Sequence, residues 1–421
     1  MNTAPSRPLE DEAAPARDRS VPRRRLREGE RTRDGRGRLR SARPLLHYGF
    51  RPFFLLAGIH AAAAIPLWLW FFANGAALPG PFPPLSWHVH EMLFGYLGAV
   101  IAGFILTAIP NWTGRLPLSG TPLAVLALLW LAGRLATAFV SVPLAATFID
   151  LSFPVVLAGA VWREILAGRN WRNAPVALML TLFALANGLH HGEAAGLLQE
   201  GLAIRLALSV AAMLMALIGG RIVPSFTRNW LVKRGARALP AAFGLLDKAA
   251  LGTTAIALVG WITLPETTFT GTALLLAGIL LFARLSRWQG WQTGREAILL
   301  ILHIGYAWLA GALLLIGAGI LAPGTIPASA AIHALTAGAI ATMTLAVMTR
   351  ASLGHTGRDI RADGWTAAIY LMANAGALLR VIAPFAAQGY LPLLAAAGTL
   401  WSGAFLLFVL RYWRVLTGPR L

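Results

Sequence analysis

The sequence predicts an all-α, polytopic membrane protein with twelve transmembrane helices, and three observations lead to this prediction. Hydrophobic residues make up 57% of the 421 residues, and charged residues only 13%. The apolar residues fall in successive runs of roughly 20, the length that an α-helix needs to cross a bilayer. Basic residues concentrate in alternate connections between these runs, as expected for a chain that crosses a membrane repeatedly.

Residues 1–43 differ from the rest of the chain. They hold 13 Arg and 7 Asp or Glu and show no apolar period that could build a core. We therefore expect a disordered, basic cytoplasmic tail at 1–43, for which anionic lipid is a suitable contact. A single twelve-helix transmembrane domain is expected to follow at 44–421.

The connections between the apolar runs determine the number of spans. Connections after spans 1, 5, 7, 9 and 11 hold no Lys or Arg, whereas those after the even-numbered spans are basic. The third is ambiguous, since Arg134 and Asp150 lie inside the flanking spans. By the positive-inside rule, this alternation predicts an even number of helices with both termini cytoplasmic. The predicted spans are 50–73, 87–110, 119–140, 146–166, 174–191, 202–223, 241–262, 268–285, 297–320, 327–349, 365–384 and 390–411.

Composition narrows the possible functions. Cysteine is absent, which excludes disulfides, iron–sulfur clusters and covalently attached c-type haem. A metal would therefore need His, Met or carboxylate ligands. The formal charge of +19 comes from the tail and from alternate loops rather than from one folded face, so we expect no nucleic acid partner.

Histidines cluster toward one side of the predicted membrane domain. Five of the nine lie near the outer ends of spans, accompanied by Glu91, while His60 and His303 lie deeper in spans 1 and 9. Ionisable groups in hydrocarbon are costly unless they pair, reach water or bind something. Each of these histidines could instead make an interhelical hydrogen bond or meet lipid headgroups. The predicted metal ligands are His88, His90, His333, His60, His303, His190, His191 and Glu91.

His90 and His333 are the strongest pair for a cofactor. When the sequence is aligned with itself at an offset of 243 residues, His90 falls on His333 and Gly95 falls on Gly338. Each histidine lies beside a stripe of small residues that lets helices pack closely, and imidazoles from two helices can clamp haem iron. The prediction is a haem between spans 2 and 10, contacted by His90, His333 and Trp87. Arg205 is expected to pair with the haem propionates or with Glu193. His88 lies roughly 200° around the helix from His90, so one site does not readily take both.

Short identities also connect spans 2, 6 and 10. Ile101-Ala102-Gly103 aligns with Ile218-Gly219-Gly220, and Thr113-Gly114-Arg115 aligns with Thr356-Gly357-Arg358. Because these spans are four apart, the pattern indicates three pseudo-repeated four-helix units. Such an arrangement resembles the catalytic subunit of haem–copper oxidases, from which the chain departs by having no His in span 6 and a single one in span 10.

Six stretches of the chain carry a resemblance. They are YGFRPFF at 48–54, WHVHEMLFGYLGAVIAGFILTAIPNWTGR at 87–115, LLWLAGRLA at 128–136, GGRIVPSFTRNW at 219–230, LHIGYAWL at 302–309 and IHALTAGAIATMTLAVMTR at 332–350. Together they resemble a known family, the NnrS proteins of bacterial membranes. The resemblance covers about residues 46–411. It implies haem and copper as cofactors, a bacterial inner-membrane location and a role in nitric oxide response or denitrification. The implied partners are nitric oxide or another diatomic ligand, the lipid bilayer and an electron donor of unknown identity.

Two other classes of function fit the same residues. The His/Glu cluster could form a proton or metal-ion path in a transporter or exporter, or the histidines could be structural in an assembly protein. A Soret band in the purified protein favours haem, whereas a colourless preparation favours transport. Unchanged phenotypes in single His→Ala variants would favour the scaffold.

Overall fold

The computed structural model describes residues 44–421, and the tail expected at 1–43 lies outside the described residues. The described part holds twelve helices that are long and apolar enough to cross a membrane, and no strand. The predicted fold class and number of spans are confirmed. A short 3-10 turn at Pro44–Leu46 precedes the first span.

The twelve spans are numbered in chain order. Each overlaps its predicted counterpart, although several are longer; the sixth continues well past residue 223 because its polar last turns remain helical. The spans are α1 (Phe50–Asn74), α2 (Pro84–Thr113), α3 (Thr121–Phe139), α4 (Pro143–Ala167), α5 (Trp171–Ala194), α6 (Leu202–Val232), α7 (Leu245–Thr263), α8 (Thr268–Ser286), α9 (Ala297–Leu321), α10 (Ala328–His355), α11 (Gly364–Phe385) and α12 (Tyr390–Thr417).

Local sequence signals set several helix ends. Helix α1 ends at Gly75, whose φ of 62° is a left-handed conformation that glycine adopts without a steric penalty. Helix α2 begins with Pro84, which suits the first helical position because it has no N–H to leave unpaired. At α11, the Asp363 side chain accepts a hydrogen bond from the Thr366 amide at 2.8 Å and so caps the helix.

Helices α2 and α10 form the interior of the bundle. In their most apolar windows, 83% and 72% of the residues are buried, against 33% for α4 and α11. Helix α10 contacts both α2 and α6, while α1, α9, α11 and α12 pack around them. In α6 the buried share is 61%. Most residues in the apolar windows of α2, α6 and α10 therefore face protein rather than lipid, and we call these three helices the interior spans.

These three interior spans share a local irregularity. Each contains a π-helical segment: Glu91–Leu97 in α2, Met215–Gly219 in α6 and Ala334–Ile340 in α10. A π-helical turn takes an extra residue and rotates the side chains that follow it. The irregularity recurs every fourth span, at the interval for which the sequence analysis expected repeated units.

The two ends of the bundle differ in charge. We call one the histidine face: its connections at 75–83, 140–142, 195–201, 264–267, 322–327 and 386–389 hold no Lys or Arg. We call the other the basic face: its connections at 114–120, 168–170, 233–244, 287–296 and 356–363 each hold at least one. The alternation predicted from sequence holds for the observed helix boundaries.

Candidate functional site

A buried carboxylate–histidine network lies near the histidine face. We define it as His60, His90, Glu91, Arg134, Asp150, Asn187 and His191, which come from α1 to α5. The π-helical segment of α2 begins at Glu91, directly after His90. Both side chains are buried, as are Asp150 and Asn187.

Asp150 is the centre of this network. Its Oδ2 lies 3.0 Å from His90 Nε2 and 3.2 Å from His191 Nε2, and it accepts a hydrogen bond of 2.8 Å from Asn187 Nδ2. Its Oδ1 pairs with the Arg134 guanidinium. Both oxygens of this buried carboxylate therefore have partners.

Three residues of the network are placed to hold a metal ion. His90, Asp150 and His191 each offer one ligand atom, and these atoms lie within 4.8 Å of one another. A metal–ligand distance of about 2.0–2.2 Å separates neighbouring ligand atoms by roughly 3.0–3.6 Å, and the distances from Asp150 Oδ2 fall in that range. Imidazole and carboxylate ligands suit zinc or copper.

Glu91 forms the second half of the network. Its Oε2 lies 3.0 Å from His60 Nε2 and 3.4 Å from Arg134 Nε, while its Oε1 lies 3.1 Å from His90 Nδ1 and accepts a 2.8 Å hydrogen bond from Thr137. Both ring nitrogens of His90 thus face carboxylate oxygens. Such an imidazole can donate a hydrogen bond through each ring nitrogen, or use one nitrogen as a metal ligand.

Gly95 makes room for this arrangement. A Cβ atom at this position would lie 2.6 Å from Arg134 Nη1 and 2.9 Å from both Glu91 Oε2 and His60 Nε2. The Gly95 carbonyl accepts a 2.9 Å hydrogen bond from Trp130 Nε1. The close approach of α1, α2 and α3 therefore depends on the missing side chain.

Phe82 covers the network from the loop before α2. Its ring centroid lies 4.7 Å from that of His90 and 4.8 Å from that of His191. His190 lies beside the network rather than in it, with Nε2 3.0 Å from Ser86 Oγ. His191 Nδ1 lies 3.1 Å from Thr147 Oγ1, which orients its Nε2 toward Asp150.

A second feature, the histidine cavity, lies between α1, α2, α6, α10, α11 and α12. The volume of the cavity is about 150 Å³, far more than the roughly 10–15 Å³ that one water needs. The walls are mainly aliphatic and aromatic, with Trp68, Tyr96 and Trp401 among them. Its strongest polar groups are His88, His333 and Arg380.

The polar groups of the histidine cavity are incompletely paired. His333 Nδ1 donates to the Ser329 carbonyl at 2.7 Å, which leaves the Nε2 lone pair for a ligand. His88 stacks on Trp68 with ring centroids 4.3 Å apart, and within residues 44–421 its buried Nδ1 has no hydrogen-bond partner. Arg380 donates to Ser329 Oγ at 2.7 Å, while its buried Nη1 is likewise unpaired among the described residues.

The two histidines that the sequence analysis paired lie in different features. His90 belongs to the carboxylate–histidine network, and His333 lines the histidine cavity together with His88. His88 and His90 point to different sides of α2, as their helical spacing predicted. Which of the two faces α10 depends on the rotation of α2 in the bundle, and this cannot be read from spacing alone.

The remaining predicted site residues lie elsewhere. Trp87 is buried against Phe71, with ring centroids 5.7 Å apart. Arg205 is not among the residues that line the histidine cavity. Glu193, considered as its partner, accepts a 2.7 Å hydrogen bond from the Ala203 amide at the start of α6. His303 Nε2 lies 2.9 Å from Thr227 Oγ1 in the basic half of the bundle.

Sequence reasoning missed four polar residues of these two features. Arg134 and Asp150 were noted only as complications in counting spans, and Asn187 and Arg380 were not singled out. An available signal was the same one that identified the histidines. A charged residue inside an apolar span needs a partner, and Arg134, Asp150 and Arg380 each lie in one.

Comparison with known proteins adds one match. The family model described as NnrS protein matches residues 44–420, which is nearly the whole chain. No curated protein matches the chain.

Proposed function

The chain belongs to the NnrS family, and from this premise we propose that it is a haem- and copper-binding protein of the bacterial inner membrane, acting in nitric oxide response or denitrification. Family membership supports a membrane protein connected with nitric oxide. The observation that carries the proposal is the histidine cavity, where two imidazoles and a guanidinium with an unpaired nitrogen meet in apolar walls.

The histidine cavity provides the groups that a haem needs. His333 would hold the haem iron through its Nε2, since its Nδ1–H is held by the Ser329 carbonyl. His88 would be the second candidate to hold the haem, and Arg380 would pair with a propionate. Haem would supply an iron centre that binds nitric oxide, a small apolar molecule that partitions into the bilayer.

The carboxylate–histidine network suits the second metal. His90, Asp150 and His191 would hold a copper ion, for which imidazole is a preferred ligand. Glu91 contacts His90 Nδ1 and Arg134 holds the far oxygen of Asp150. These outer contacts would keep the ligands oriented.

The charge of the two faces supports an orientation. Because basic loops stay in the cytoplasm, the basic face would be cytoplasmic, with both chain termini there, and the histidine face would point outward. Reporter fusions at Gly80 and Gly235, which lie in loops of opposite faces, should report opposite sides of the membrane. Finding both on one side would overturn this orientation.

The proposal as a whole is tested on the purified full chain. We expect a visible spectrum with a Soret band that shifts when nitric oxide is added to the reduced protein, and metal analysis that finds copper together with iron. A colourless, metal-free preparation that retains its helical circular dichroism would contradict the proposal.

One observation favours the alternative of a transporter. His60, Glu91, His90, Asp150 and His191 form a continuous series of contacts of 3.0–3.2 Å across the interior. Such a series can move protons between imidazole and carboxylate groups. A colourless protein that carries protons or metal ions in vesicles would favour this function.

A further inference from the structure

Three cavities are stacked along the line between α2, α6 and α10. The histidine cavity and a middle cavity share the lining residue Ile340. The middle cavity and a third cavity, toward the basic face, share Phe104, Ile218, Ile222 and Val347. The interior spans therefore line three neighbouring cavities, which follow one another from the histidine face toward the basic face.

The third cavity, which we call the basic cavity, differs chemically from the other two. Its volume is about 420 Å³. Each interior span contributes a polar side chain to it: Asn111 from α2, Arg221 from α6 and Arg350 from α10. His355 also lines the cavity, and no Asp or Glu does.

Neither guanidinium group of the basic cavity is directly paired with a carboxylate, although the buried Glu296 attracts Arg350 from a greater distance. Among the described residues, neither Arg221 nor Arg350 makes an ion pair within 4.0 Å. Arg350 is half-buried, with its guanidinium carbon 3.9 Å from the centroid of the Phe226 ring. A partly buried cation on a membrane-spanning helix is costly without a counter-charge, so the cavity favours an anion.

The space beyond the guanidinium groups is apolar. The middle cavity is lined only by α2, α6 and α10, and Thr344 is its one side chain with an oxygen or nitrogen atom. A ligand that satisfies both regions has an anionic head and an apolar body. Arg221 is exposed and marks the rim of the basic cavity, so the head would lie at the basic face and the body would point toward the membrane centre.

We propose that the basic cavity binds an amphiphilic anion, whose carboxylate or phosphate head pairs with Arg221 and Arg350 and whose acyl chain enters the middle cavity. Bidentate pairing with guanidinium suits either head group. The shared chemistry admits two sources, an anionic phospholipid of the bilayer or a free fatty acid. The site lies at the opposite face from both proposed metal centres and does not depend on them.

Native mass spectrometry of the full chain in an uncharged detergent tests this site. The probes are oleate, phosphatidylglycerol, phosphatidylcholine and inorganic phosphate. We expect one saturable adduct with oleate, with phosphatidylglycerol or with both, and the responding probe identifies the source. Phosphatidylcholine and inorganic phosphate should bind at least tenfold more weakly, because one lacks the net charge and the other lacks the acyl chain.

Variants locate the adduct. Arg350→Gln and Arg221→Gln should each weaken it at least tenfold, Arg350→Lys should weaken it less, and Arg172→Gln should leave it unchanged. Arg172 is an exposed basic residue at the same face that lines none of the three cavities. The exposed Arg221 provides a test if Arg350→Gln does not fold. Equal binding by the Arg221→Gln variant, by phosphatidylcholine or by inorganic phosphate would overturn the proposal.

Discussion

The carboxylate–histidine network and the histidine cavity contain similar residues but satisfy them differently. In the network, all four oxygens of Glu91 and Asp150 have partners, and Arg134 lies between the two carboxylates. In the cavity, Arg380 makes no ion pair with a described residue. Within residues 44–421, buried nitrogens without a hydrogen-bond partner occur in both features, at His60 and Arg134 in the network and at His88 and Arg380 in the cavity, so the difference lies in the pairing of charges. A buried charge without a counter-charge is costly. The charges of the network are therefore balanced without a ligand, whereas the cavity gains a counter-charge from an anionic one.

The largest expected effect is the removal of Asp150. In Asp150→Ala, the buried Arg134 loses its closest carboxylate, and breaking a buried ion pair costs about 3–5 kcal/mol. Denaturant unfolding of the detergent-purified protein should show this loss. As a control, Asp363→Ala removes a partly exposed carboxylate that caps α11 and should cost only about 0.5–2 kcal/mol. If Asp150→Ala lost no more free energy of unfolding than Asp363→Ala, the network would not be structurally important.

A substitution at Gly95 should disturb the network by crowding it. In Gly95→Ala the new methyl group meets Arg134, Glu91 and His60 at under 3.0 Å, and such overpacking costs about 1–3 kcal/mol. Gly159→Ala in α4 is the matched control, because a Cβ there meets no atom within 4 Å. It should stabilise the helix by about 0.5–1 kcal/mol. We expect the unfolding midpoint to fall in Gly95→Ala and to rise in Gly159→Ala. A lower midpoint in Gly159→Ala with an unchanged midpoint in Gly95→Ala would contradict this packing account.

The smallest effect on stability is expected for Arg380→Leu, in contrast to Arg134→Leu. Arg380→Leu removes a cation that has no carboxylate partner, so the haem-free protein should change by about 1 kcal/mol or less, or become more stable. Arg134→Leu leaves Glu91 and Asp150 facing each other and should destabilise strongly. The free energy of unfolding, measured on haem-free preparations of both variants, distinguishes Arg380→Leu from Arg134→Leu. A large loss in Arg380→Leu would show that the cavity is held together by its own residues.

The sequence predicted the membrane fold well because its signals are local. Run length identifies a span from its own residues, and loop charge needs only the connections on either side, so all twelve spans were predicted. The prediction that histidines gather near one face also relied only on depth along each helix. Span length and depth along a helix both depend on the bilayer itself, which imposes the same thickness and the same charge rule on every helix.

The pairing of residues could not be predicted in the same way. His90 and His333 lie at similar depths, but a contact also depends on how each helix is rotated. The π-helical segments at Glu91–Leu97 and Ala334–Ile340 change that rotation, and apolar composition does not reveal them. Asp150 and Asn187, on α4 and α5, reach the network only because their helices pack beside α2.

The most direct test of the central claim compares three single variants of the purified protein by their visible spectra. We expect His88→Ala and His333→Ala each to lose the Soret band or shift it strongly, because both imidazoles line the histidine cavity. His90→Ala should keep the haem spectrum and lose copper, since His90 contacts Asp150 and Glu91 instead. An unchanged spectrum in His88→Ala together with a lost Soret band in His90→Ala would contradict the assignment.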